Sequence, residues 1–261
     1  MNLDLTNKTA LVCGSTAGIG NAIAHELSEM GATIVLIARN EEKLNQAKAS
    51  LPSSKGQVHA SLVADFSKVE EVEAVVQAYV KSNPIHILIN NTGGPPGGPI
   101  AEAKRQEFVD AFSMHLLCNH TLVQAVKQSM IDGGYGRIIN IISTSVKQPL
   151  NGLGVSNTVR GAVANWAKTM ANELGVHGIT VNNVLPGATA TERLSSIVAN
   201  KAKKTGKTEE EALKGMEAQV PMKRVAQPEE VAAAAAFLAS PAAAYINGIN
   251  VPVDGGRTAC L

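Results

Sequence analysis

The sequence predicts a doubly wound α/β fold of Rossmann type, a parallel sheet of about seven strands with helices on both faces. Short Val- and Ile-rich runs alternate with amphipathic segments along the whole chain. Strand, helix and strand in repeated succession mean parallel pairing through right-handed crossovers. Several of the strand runs are also apolar without alternation, as strands covered on both faces should be. No linker or internal repeat divides the 261 residues, so residues 1–261 are read as a single domain.

In chain order the strands are expected at Thr9–Cys13, Thr33–Ala38, Val58–Ala64, Ile85–Asn90, Arg137–Ile142, Thr180–Leu185 and Asn250–Val253. Helices are expected between them at Gly20–Met30, Glu41–Ser50, Lys68–Lys81, Arg105–Ile131 and Gly161–Leu174, with Gly154–Val163 opening the last of these. The Lys- and Glu-rich segment 191–221 breaks the rhythm. It reads as a helical flap on the substrate side or as a solvated excursion, and the residues alone favour neither.

Composition excludes several classes of function. A net charge of +1 offers nothing to a polyanion, and 3% aromatic residues cannot build a stacking platform for single-stranded nucleic acid. No apolar run approaches the roughly 20 residues of a membrane span. MNLDLTNK lacks the apolar centre of a signal peptide. Cys13, Cys118 and Cys260 are too scattered for a disulfide framework or a metal site. The expectation is a cytoplasmic protein acting on a small molecule, without nucleic-acid or membrane partners.

The chemistry begins at the end of the first strand, in CGSTAGIG (Cys13–Gly20). Glycines at Gly14, Gly18 and Gly20 let the backbone turn sharply and approach a pyrophosphate, which a helix N-terminus then meets. Ser15, Thr16 and Ile19 complete this turn. A dinucleotide enzyme sets its cofactor selectivity at the end of the second strand. There IARN (Ile37–Asn40) holds no acid for a ribose 2′-hydroxyl, whereas Arg39 suits a 2′-phosphate. NADP(H) is therefore favoured over NAD(H); a plain solvent-facing arginine is the other reading.

These residues, with VADF (Val63–Phe66), ILINNTGG (Ile87–Gly94), GRIINIIS (Gly136–Ser143), ITVNNVLPGATAT (Ile179–Thr191) and PVDGG (Pro252–Gly256), resemble the short-chain dehydrogenase/reductase superfamily from Lys8 to Gly256. The resemblance implies a bound nicotinamide cofactor and a homotetramer or homodimer. It places Asp65 at the adenine and Asn91 below the cofactor, and it implies that Phe66, Thr92, Gly93, Pro186, Gly187 and Thr191 are also cofactor-binding residues.

The family's catalytic set is Asn, Ser, Tyr and Lys, with the last two spaced Y-x-x-x-K. Ser143 matches the serine. Ser156 stands where tyrosine is expected, Arg160 replaces lysine, and His115 replaces asparagine. Ser156 and Arg160, four apart, share one helix face. A serine is a far weaker acid than tyrosine and would need a bridging water, while a guanidinium can bond the nicotinamide ribose but cannot relay protons. The pair also has a bland reading, a helix cap and a surface charge. His115 is expected to titrate near neutrality, either as the proton donor or as a structural histidine. The branch resembled is the one often labelled 3-oxoacyl-acyl-carrier-protein reductase. Three functions follow: an NADP(H)-dependent oxidoreductase of carbonyls or secondary alcohols, an NADP(H)-binding regulatory protein without turnover, and a lyase or isomerase whose Arg160 holds an anion.

Overall fold

A computed structural model describes residues 1–260 and contains the expected sheet. Its strands are β1 (Thr9–Cys13), β2 (Thr33–Ala38), β3 (Ala60–Val63), β4 (Ile87–Asn90), β5 (Gly136–Ile141), β6 (Ile179–Pro186) and β7 (Asn250–Val253). All neighbours are parallel, in the order β3-β2-β1-β4-β5-β6-β7. β3 begins two residues later than expected because Val58 is 82% exposed and packs on no face. The chain steps outward from β1 to β3 and then returns to β4 on the other side of β1. Open α/β sheets place their ligand crevice at this reversal, beyond the C-terminal strand ends.

Nine α-helices are present among the described residues: α1 (Gly18–Glu29), α2 (Glu41–Ser50), α3 (Val69–Val80), α4 (Arg105–Phe112), α5 (Cys118–Asp132), α6 (Gly154–Leu174), α7 (Glu192–Thr205), α8 (Glu209–Glu217) and α9 (Pro228–Ala239). Residues of α1, α2 and α9 cover one face of the sheet; those of α3, α5 and α6 cover the other. Successive strand residues enter opposite cores. Ala10 and Val12 join the first, Leu11 and Cys13 the second, and Ile34, Leu36 divide from Val35, Ile37 in the same way. Two-sided burial is thus the cause of the unbroken apolar runs. Truncating any of these large side chains to Ala would cost about 2–5 kcal/mol.

The helix expected over 105–131 is not continuous. A single π turn, Ser113–Leu117, separates α4 from α5. No proline or glycine announces it, and one widened turn leaves hydrophobic periodicity almost intact; such insertions cluster at functional sites. Segment 191–221 folds into α7 and α8, which share a small core of Leu194, Val198, Ala202 and Ala212. Ala188 and Val225, outside the segment, pack against the same cluster.

Four asparagines stand in register across neighbouring strands. Asn90 Nδ2 donates to Asn140 Oδ1, Asn140 Nδ2 to Asn183 Oδ1, and Asn183 Nδ2 to Asn250 Oδ1, each at 2.8 Å. This ladder crosses the sheet beside the crevice.

Candidate active site

The glycine turn lies where β1 hands over to α1. Gly14 and Gly18 have φ of +56° and +55°, a left-handed backbone that favours glycine. A Cβ on Gly20 would lie 2.3 Å from the Gly14 carbonyl oxygen, so this glycine closes the turn. Asn91 braces it from below, its Nδ2 donating to the carbonyls of Cys13 and Gly14 at 3.2 Å. The N-terminus of α1 has no side-chain cap, and its first turn carries no acid. Ser15 Oγ is buried without a hydrogen-bond partner. An uncapped helix start beside an orphaned hydroxyl fits a phosphate group. Ile19 packs partly against the core, and Thr16 is half-buried.

Arg39 follows β2, is exposed, and forms no ion pair among the described residues. Its neighbour Asn40 is committed to capping α2, accepting from Lys43 N at 2.8 Å. Asp65 accepts from Ser67 N at 2.9 Å; hydrogen bonds from Ser67, with help from Arg39, hold its carboxyl below the usual range. The Phe66 side chain packs in the core, and its carbonyl accepts from Cys118 Sγ.

At the other end of the crevice, Ser143 follows β5 and accepts from Ser145 N at 3.1 Å. Ser145 Oγ is buried and unpartnered, a feature no motif marked. A cleft of about 220 Å³ opens alongside, lined by Thr144, Gln148, Leu150, Gln219 and Arg257. Neither half of the bland reading of Ser156 and Arg160 holds. The cap residue of α6 is Leu153, which places Ser156 inside the helix, half-buried. Arg160 is 8% exposed, and its Nη1 donates to the Ile141 carbonyl at 3.0 Å. Burial lowers its pKa to about 10, so it remains a cation at neutral pH.

His115 sits in the π turn, 1% exposed, with Nδ1 2.7 Å from Thr92 Oγ1 and Nε2 unpartnered. Burial foremost, then Arg160 and Arg193, push its pKa down to about 2. The expectation that it titrates near neutrality is therefore corrected: the imidazole is neutral throughout the physiological range. The tyrosines offer no substitute acid. Tyr135 donates to the Ala239 carbonyl at the opposite end of β5, Tyr245 is fully exposed, and Tyr79 lies near the end of α3 and packs against the core.

Pro186 ends β6. A Cβ on Gly187 would come within 2.8 Å of Asp254 Cα, so only glycine fits there. Thr191 caps α7 and sets its methyl over Gly18, where a Cβ would meet it at 3.1 Å. Space beside Gly93 is open. The residue missed from sequence is Arg193, in the first turn of α7, whose Nη2 donates to the Pro95 carbonyl at 2.6 Å. Its only signal was its place two residues after Thr191, hidden in a segment read as Lys- and Glu-rich.

A seven-stranded parallel sheet with its glycine turn at the reversal point defines a Rossmann-type protein. Within that class the chain belongs to the short-chain dehydrogenase/reductase family, as its relatives show. A family model described as enoyl-(acyl carrier protein) reductase matches residues 14–258. Gluconate 5-dehydrogenase of Gluconobacter oxydans is 34% identical, over 98% of this chain and 97% of its own. The 3-oxoacyl-(acyl-carrier-protein) reductase of Vibrio cholerae is also 34% identical, over 97% and 98%. Among solved structures, L-sorbose reductase from Gluconobacter frateurii, complexed with NADPH and L-sorbose, superposes with a TM-score of 0.93 at 31% identity, covering both chains fully.

Proposed function

We propose that the chain is an NADP(H)-dependent oxidoreductase interconverting a carbonyl and a secondary alcohol, with Ser143, Ser156, Arg160 and His115 around the reacting centre. The observation that carries this reading is the phosphate cradle: an uncapped α1 and orphaned Ser15 Oγ, with an uncommitted Arg39 at the end of β2. Relatives and neighbours support the cofactor, among them an NADPH-dependent reductase of Bacillus subtilis at 29% identity.

The nicotinamide, when bound, supplies or accepts the hydride. The chain's residues do the rest. Amides of Gly14–Gly20 would hold the pyrophosphate and Arg39 the 2′-phosphate. Ser143 donates a hydrogen bond to the substrate oxygen. Arg160 adds a fixed positive charge beside the developing alkoxide, a form of stabilisation worth most in a dry site. His115, neutral and tied to Thr92, orients groups rather than donating a proton. The proton reaches the oxygen from solvent, through a water held by Ser156.

Absence of any tyrosine near Arg160 favours one second reading, a cofactor-binding protein without turnover. Calorimetry with NADPH, followed by a panel of ketones and aldehydes monitored at the NADPH absorbance, separates them. Oxidation of NADPH by any member supports the enzyme; tight binding with no turnover selects the second reading.

A further inference from the structure

We propose that Arg160, Arg193 and His115 form an anion seat, and that the substrate is a carbonyl compound carrying a carboxylate. This rests on the oxidoreductase reading above and narrows its substrate. A point at the Cβ position of Gly94 lies 3.4 Å from Arg193 Nη2 and 3.8 Å from Arg160 Nη2. Two guanidiniums, one on α6 and one on α7, therefore converge above a residue with no side chain, across a span one carboxylate can bridge. Among the described residues, no carboxylate lies within 4.0 Å of either.

That is an unusual expense for a fold to bear. A buried cation without a counter-charge is destabilising, and Arg160 is only 8% exposed. Its nitrogens make one hydrogen bond, to Ile141, and those of Arg193 make one, to Pro95. Most of ten N–H donors thus stay uncommitted. His115 Nε2, 99% of whose residue surface is covered, lacks a partner beside the same two cations. Bidentate, charge-assisted bonds to a carboxylate would satisfy donors and charge together.

The seat is placed at the reacting end. Arg160 is anchored to Ile141, two residues before Ser143. The α1 N-terminus would serve the cofactor's pyrophosphate, which leaves these guanidiniums for a second anion. In turnover the carboxylate is unchanged: the ketone carbon gains a hydride, its oxygen gains a proton from solvent, and the nicotinamide is oxidised. The class is a 2-oxo or 3-oxo acid, or the corresponding hydroxy acid in reverse.

The test compares 2-oxobutanoate and 3-oxobutanoate with their methyl esters on the NADPH-loaded protein, and titrates malonate into the protein–NADPH complex. At least one acid should exceed its ester about tenfold or more in kcat/KM, and malonate should bind. Arg193→Met, at an exposed position, should fold normally, erase the preference and abolish malonate binding, with Arg193→Lys recovering part of both. Esters reduced as well as acids, or no malonate binding, would overturn the seat. So would an Arg193→Met protein that loses affinity for NADPH rather than malonate, since the guanidinium would then serve the cofactor's pyrophosphate. Malonate binding without turnover of any ketone leaves the seat standing and removes the oxidoreductase reading instead.

Discussion

Replacing Arg160 by Met should make the ligand-free protein no less stable while disabling it. Two opposing effects set the magnitude. Lowering the Arg160 pKa from its ordinary value to about 10 amounts to about 3 kcal/mol against the charged form in the folded state. Methionine relieves that penalty and fills much of the same volume with apolar atoms. Against this, the Ile141 carbonyl loses its donor, and an unsatisfied buried carbonyl costs about 1–3 kcal/mol. The balance runs from no change to about 2 kcal/mol of added stability, or a Tm raised by up to roughly 4–8 °C. Function should move the other way. A lost charge-assisted bond of about 1.5–3 kcal/mol lowers cofactor or substrate affinity some ten- to a hundredfold, whereas Ser156→Ala, at about 1 kcal/mol, should cost at most about fivefold. Thermal unfolding without ligand and calorimetry with NADPH and malonate read the two sides separately. A Tm that fell by more than about 5 °C would refute the reasoning, because Arg160 would then be a structural prop.

Four further outcomes are expected. His115→Asn should flatten the acid limb of stability: the unfolded chain binds a proton below 6.5 while the folded site resists it down to about 2, so stability falls as pH drops through 6.5. At pH 5 that loss is about 2 kcal/mol in the parent and absent in the variant, read as a smaller Tm difference between pH 7 and pH 5; parallel melting curves would sink it. The reduction rate should show no inflection from His115 between pH 6 and 8. Arg39→Asp should weaken NADPH by about ten- to a hundredfold more than NADH in calorimetry, and equal weakening would remove the 2′-phosphate contact. Gly18→Ala combines strain of about 1–2 kcal/mol at φ +55° with a 3.1 Å approach to Thr191. It should fold with a modestly lower Tm yet lose at least tenfold in NADPH affinity; undiminished binding would make the turn purely structural.

The elements were legible in the sequence because two-sided burial writes itself into unbroken runs such as TIVLIA of β2. The glycine turn was legible because only glycine tolerates its backbone, and the Ser156–Arg160 pair because helix spacing carries side chains to one face. What escaped depends on contacts distant along the chain. The π turn at Ser113–Leu117 leaves no compositional mark, yet it carries His115. That histidine's neutrality comes from burial and from guanidiniums on α6 and α7, not from its neighbours in sequence. Arg193 escaped because it lies in a polar, Lys- and Glu-rich segment and nothing local reveals that α7 begins over Gly18.

The asparagine ladder acts as a gauge for the site. Thr92, Ser143 and Gly187 emerge from three different strands, and their heights relative to one another depend on how β4, β5 and β6 are aligned along their axes. A slip of one residue would shift a loop by about 3.3 Å and turn the pleat over, and a displacement near 1 Å can already cost a hundredfold in rate. Side-chain bonds at 2.8 Å between Asn90, Asn140, Asn183 and Asn250 index each strand to the next at the level where the loops depart. Three chain segments far apart in sequence are thereby zeroed on a common mark, and tolerance is set at the sheet before any loop contributes its own flexibility.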